Sequence, residues 1–172
     1  MVLNLVNQLR FTRMEFRRGF EGVSEHDGSR RMVPINNIAW IVGHMAWHEQ
    51  YYWLKRAQGQ VLFPDLDESA AFGKDPGVVS LGHMTAHWKV VTAASDGYLS
   101  GLTLPDLERH MRVGEKELPF NIGTMIQRVI YHYWYHCGEM QALRQLMRHQ
   151  NLPQFVSDEI ETTGSYYLDK TD

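Results

Sequence analysis

Apolar residues recur every three or four positions in four separated stretches, the spacing at which one face of an α-helix is buried. Over 2–20, Val2, Leu5, Leu9, Phe16 and Phe20 fall on one side, with Thr12 filling the gap. Over 34–57 the stripe is Ile38, Ile41, Val42, Met45 and Tyr52. There Pro34 suits a first helical turn, and Asn36 or Asn37 can cap it. A third helix is expected over 79–99, with Met84, Val91, Ala94 and Tyr98 inward, and a fourth over 122–148. The fourth carries the longest stripe: Ile122, Met125, Ile126, Val129, Tyr133, Met140, Leu143 and Met147.

The intervening segments lack this period. Residues 21–32 are charged and glycine-bearing, and 58–77 are broken by Gly59, Pro64, Gly73, Pro76 and Gly77. Within 101–119, two short extended runs (109–113 and 115–118) are expected around Gly114. The tail 153–172 is polar, with one turn expected near 156–160. Four long amphipathic helices with long crossover connections predict an all-α fold, a four-helix bundle, as a single domain over 1–172.

Composition narrows the function classes. A chain of 172 residues is long enough to bury about two thirds of its unfolded surface without staples. The net charge of -3, with no basic stripe, argues against nucleic acid as a partner. One cysteine excludes an internal disulfide and a cysteine-rich zinc site, and fits a reducing, cytoplasmic setting. Arg10, Arg13, Arg17 and Arg18 interrupt the N-terminal apolar residues, so no signal peptide is expected. No apolar window reaches the roughly 18 residues of a membrane span, so no membrane partner is expected.

The histidines change the picture. His132 and His136 are four apart and interrupt the inward stripe of the fourth helix. His44 and His48 are a second such pair, sharing a face with Ile41 and Tyr51. Imidazoles facing a core require hydrogen-bond partners or a metal. Two pairs on two core-facing helices can place three nitrogens at about 2.0–2.1 Å from one divalent ion. Spacing alone leaves both readings open. His83 and His87 read as a half-exposed pair, and His26, His110 and His149 as solvated. Cys137 lies about 100° around the helix from His136 and reads as a buried, inert thiol. Glu139 can hydrogen-bond a ligand, enter the coordination sphere, or simply be solvated.

Two stretches carry a family resemblance. Asn37-Ile-Ala-Trp-Ile-Val-Gly-His44-Met-Ala-Trp-His-Glu-Gln-Tyr-Tyr-Trp-Leu54 resembles the second-helix motif of the DinB/YfiT-like metalloenzymes. Ile130-Tyr-His132-Tyr-Trp-Tyr-His136-Cys-Gly138-Glu-Met-Gln-Ala-Leu-Arg144 resembles the other half of that motif. The resemblance implies a four-helix bundle whose divalent-metal ligands are His44, His132 and His136. Zinc is the favoured ion, with nickel, iron or manganese as alternatives.

The family commonly has glutamine where this chain has Glu139, and His48 is an additional imidazole one turn beyond His44. The first stretch is also similar to the N-terminal domain of ergothioneine-type sulfoxide synthases. Those carry a further catalytic domain for which 172 residues leave no room, so that activity is not expected.

Characterised relatives include transferases and isomerases that use low-molecular-weight thiols such as mycothiol or bacillithiol. The resemblance therefore implies a metal-dependent, thiol-using S-transferase or isomerase acting on a small-molecule substrate. His48 or Glu139 would move the proton. A metal-dependent hydrolase and a non-catalytic, stress-related metal-binding bundle are the alternatives. Relatives of this fold are often dimeric, and Trp47, Trp53 and Trp134 read as outward, so a homodimer is expected.

Overall fold

Three of the four long helices begin at a polar residue whose side chain accepts from an N–H of the first turn, one of the donors a helix start leaves free. The computed structural model describes residues 2–155. Helix α1 spans Asn4–Phe20 and is followed by the single turn α2, Glu25–Ser29. Helix α3, Ile38–Glu49, starts at Asn37, whose side chain accepts from the Trp40 N–H. After the short α4, Leu66–Ser69, comes α5, Leu81–Ser100, capped by Ser80 on the His83 N–H. A further turn, α6 (Leu104–Glu108), leads into an antiparallel hairpin of β1 (His110–Val113) and β2 (Lys116–Asn121). Gly114 turns that hairpin at φ 60°, where glycine carries no Cβ penalty. Asn121 then caps α7, Ile122–Leu146.

The architecture is the expected all-α bundle, with the hairpin as its only β-sheet among the described residues. Helix α1 packs along α7 and α3 along α5, while α3 and α7 also meet across the core. Phe16 sits at the centre, 4.8 Å from the Tyr133 ring and 5.7 Å from that of Trp88. Among the described residues no helix is long and apolar enough to cross a membrane.

A buried polar network ties the four long helices together. Arg13 of α1 donates to both oxygens of Glu49 on α3, at 2.7 and 2.5 Å, and to Asp96 of α5 at 2.6 Å. The Tyr133 hydroxyl of α7 donates to Glu49 at 2.7 Å and accepts from the Trp88 indole at 2.8 Å. Burial alone would lower the Arg13 pKa, but the charge and hydrogen bonds of Glu49 override it and hold the guanidinium ionised.

Several local expectations are corrected. The second helix does not include Pro34, which lies in a tight turn closed by the Met32–Ile35 bridge. The Asn37 cap sets the start four residues later. Nor does that helix run on as α-helix to 57: from Gln50 to Arg56 it is a π-helix. A π turn takes an extra residue per hydrogen-bonded ring and so rotates the remainder of the helix about its axis. The inward position therefore passes to Trp53, which is fully buried, and Tyr52 is only partly so.

On α5, Ala94 is exposed, whereas Thr92 and Ser95 are buried. Their hydroxyls donate to the carbonyls of Trp88 and Val91 one turn back, which satisfies them in the core. Helix α7 ends at Leu146, followed by Arg148 in the left-handed region at φ 61°. The turn expected near 156–160 and most of the polar tail lie outside the described residues.

Candidate metal centre

Helices α3 and α7 face each other with one histidine pair apiece. His44, His132 and His136 each offer a nitrogen, and these three atoms lie within 4.8 Å of one another. The Nε2 atoms of His132 and His136 are 3.0 Å apart, close to the ~3.4 Å between two nitrogens bound tetrahedrally to one ion. The His44 ring stands 5.1 Å from that of His132 and 5.4 Å from that of His136.

The outer nitrogens define the tautomers. His44 Nδ1 is 2.8 Å from the Ala70 carbonyl, which can only accept, so Nδ1 carries the proton. His136 Nδ1 likewise donates to Glu139 Oε2 at 2.8 Å, and Glu139 Oε1 accepts from the Asn36 amide at 3.0 Å. Both rings thereby turn an Nε2 lone pair inward, the arrangement by which carboxylates and carbonyls orient metal-ligating histidines.

Electrostatics agree with that reading. Burial pushes His44 down to about 4 against the opposing hydrogen bond to Ala70. Burial, with the neighbouring imidazoles and Arg128, pushes His132 down to about 3. Both are neutral at pH 7, the form that ligates. Burial opposes ionisation of Glu139, but the His136 contact and Asn36 outweigh it and hold the carboxyl below its usual value. This donor set fits a divalent ion of the zinc class.

A pocket of about 460 Å³ opens onto His44 and His132. Its walls are Trp47, Tyr52, Phe72 and Tyr131, with Arg128 at the rim. His48 lines it as well, 4.3 Å ring to ring from His132, but falls outside the three-nitrogen cluster. Its Nδ1 is buried without a hydrogen-bond partner. Burial first, then His132, holds His48 well below its ordinary value, so it is neutral. A larger surface cavity of about 520 Å³, between α1 and α5, contains no histidine.

With this geometry, the sequence model of the DinB superfamily matches residues 8–140. The chain belongs to the DinB superfamily. No curated protein matches it. The family match contains both histidine pairs and Glu139.

Glu139 and Cys137 both stand off the pocket wall of this DinB bundle. Glu139 is the hydrogen-bonding partner of His136 and lies behind it, not on the pocket wall. Cys137 is 1% exposed, and burial raises its thiol to about 12, with Glu15 adding to the effect. It stands outside the histidine cluster. Three participants were not anticipated in their roles: the Ala70 carbonyl, Asn36 as partner of Glu139, and Arg128. Arg128 had a readable signal, since it precedes His132 by one turn on the same face. The Trp residues invoked for dimerisation are not free surface. Trp53 is fully buried, and Trp47 is half-buried with its indole on Asp67 at 2.8 Å. Trp134 is half-buried between Phe11 and Phe155, 6.4 Å from each ring.

Proposed function

We propose that this DinB superfamily member is a cytoplasmic metal-dependent transferase or isomerase, using a low-molecular-weight thiol on a small-molecule substrate. His44, His132 and His136 hold the divalent ion, zinc in the first instance, with nickel, iron or manganese as alternatives. The observation that carries the reading is the pocket: two of the three clustered histidines line it, beside His48. A closed structural site would have a fourth protein donor, and the cluster has none among the described residues.

When bound, the ion supplies Lewis acidity, which brings the pKa of a coordinated thiol or water toward neutrality. His48, which lines the pocket and is held neutral, accepts the thiol proton. Arg128 pairs with an anionic group of the thiol or substrate at the rim. Trp47, Tyr52 and Tyr131 pack against its apolar part and exclude water. Glu139 is a positioning residue: it keeps His136 in the ligating tautomer while Asn36 holds its second oxygen. In a transfer, a carbon–sulfur bond forms as the bond from that carbon to the leaving group breaks, the leaving group takes the electron pair, and the thiol proton passes through His48 to the leaving group or to solvent. A homodimer through α7, where Tyr131 and Tyr135 are exposed one turn apart, belongs to the same reading. Light scattering giving a monomer mass would remove that part.

The decisive experiment loads the purified protein with zinc and supplies a low-molecular-weight thiol with a model alkylating electrophile. Adduct formation is followed by mass spectrometry. We expect a thiol adduct that disappears on chelation and returns on reloading, and that is lost in His132→Ala. Helical circular dichroism should persist throughout, because the apolar core forms without the ion. Turnover of an ester or amide without thiol would mean that water takes the thiol's place and the protein is a hydrolase. Collapse of the helical signal on chelation would make the ion structural.

A further inference from the structure

A second group of ligating side chains lies across α4 from the first. Asp65 stands at the N-terminus of α4, and His83 and His87 lie one turn apart at the start of α5. One ligand atom from each falls within 4.8 Å of the others. Asp65 Oδ2 is 3.8 Å from His83 Nε2 and 3.8 Å from His87 Nδ1. That is too long for hydrogen bonds, which run to about 3.2 Å. It lies between the ~3.4 Å separation of two tetrahedral donors and the ~4.2 Å that two bonds of about 2.0–2.2 Å can span. The spacing is wide for hydrogen bonds and within the reach of three ligands sharing one ion.

A separate observation concerns His87. It is 7% exposed, its Nδ1 is buried without a hydrogen-bond partner, and that atom faces Asp65. Stacking on Phe63, with centroids 3.8 Å apart, holds the ring in place. Burial, then His83, lowers its pKa against Asp65, so the lone pair is available. Asp65 does not spend its carboxylate on capping α4.

The position of α4 gives such a site a consequence. At its far end, Ala70 supplies the carbonyl that orients His44. Between the two, Asp67 accepts from Trp47, a wall of the pocket. We propose that Asp65, His83 and His87 form a second divalent-metal site of the zinc class, which braces α4 and so steadies the Ala70 contact to His44. Two imidazoles select zinc, nickel or copper over the oxygen-seeking calcium and magnesium. The exposed Asp65 and His83 leave that site open to solvent, so its ion exchanges freely.

The test uses zinc alone as probe, with bound metal counted after equilibrium dialysis. Wild type should bind two equivalents. Asp65→Asn/His83→Ala should lose one; both residues are more than half exposed, so the fold is not at stake. His132→Ala should lose the other, so a failure of the three-histidine reading would show separately. Wild-type stoichiometry in Asp65→Asn/His83→Ala overturns the second site. Hydrogen exchange in His132→Ala then tests the brace: the Ser69 and Ala70 amides, bonded to the Asp65 and Leu66 carbonyls, should exchange more slowly with the remaining equivalent bound. Unchanged exchange with zinc bound overturns the brace.

Discussion

Replacing Glu139 by alanine removes the acceptor that fixes His136 and leaves the three histidines in place. In the wild type, His136 Nδ1 donates to that carboxylate at 2.8 Å, and the carboxyl is held below its usual pKa and so is charged at neutral pH. A hydrogen bond to a charged group contributes about 1.5–3 kcal/mol. Partners of metal-ligating histidines cost about 10–100-fold in affinity when removed, or about 1.4–2.7 kcal/mol. The two magnitudes agree, so zinc affinity should fall by about one to two decades. Asn36 is half-buried and can turn to water once its acceptor is gone. Alanine favours helix, so α7 should keep its circular dichroism. Glu139→Gln keeps an oxygen for His136 but loses the charge, and should fall between wild type and alanine. The assay is competition for zinc against a chromophoric chelator at pH 7. An alanine variant within about twofold of wild type would refute the orienting role.

Glu49→Ala takes the fully buried carboxylate from Arg13, whose side chain is 7% exposed, and leaves it the half-buried Asp96. It should therefore cost about 3 kcal/mol in urea unfolding, the low end for a broken buried pair. Arg13→Met with Glu49→Leu should recover most of that, and a single-variant loss under about 1 kcal/mol would contradict the network. Cys137→Ser should retain wild-type metal content, since the thiol is buried outside the cluster; a large loss would place it among the ligands. Metal-free protein should weaken as pH falls from 6.5 towards 4. Unfolded imidazoles protonate near 6.5 while folded His44 stays neutral to about 4, so the unfolded state binds more protons in that window and stability rises with pH. His44 alone corresponds to about 2 kcal/mol between pH 7 and 5, and urea midpoints flat across that range would contradict its burial as a neutral base.

Periodicity and local hydrogen bonding determined much of this protein in advance. The four stripes, the Asn37 cap and the turn at Gly114 depend on residues a few positions apart, whose geometry the backbone dictates. The i,i+4 pairs on α3 and α7 were legible for the same reason, while the choice of His44, His132 and His136 among them came from the family resemblance. Tertiary structure decided what their nitrogens touch. Ala70 and Asn36 lie on connections with no period of their own, and their paths are set by packing against helices distant in sequence. The π turn after Glu49 moved Trp53, one of the three tryptophans on which the dimer expectation rested, into the core. The joining of Arg13, Glu49, Asp96 and Tyr133 spans four helices, and that of Asp65 with His87 bridges a loop. Residue order settles the face on which a side chain sits, because one helical turn repeats it. Only the docking of one face on another brings such side chains within bonding distance.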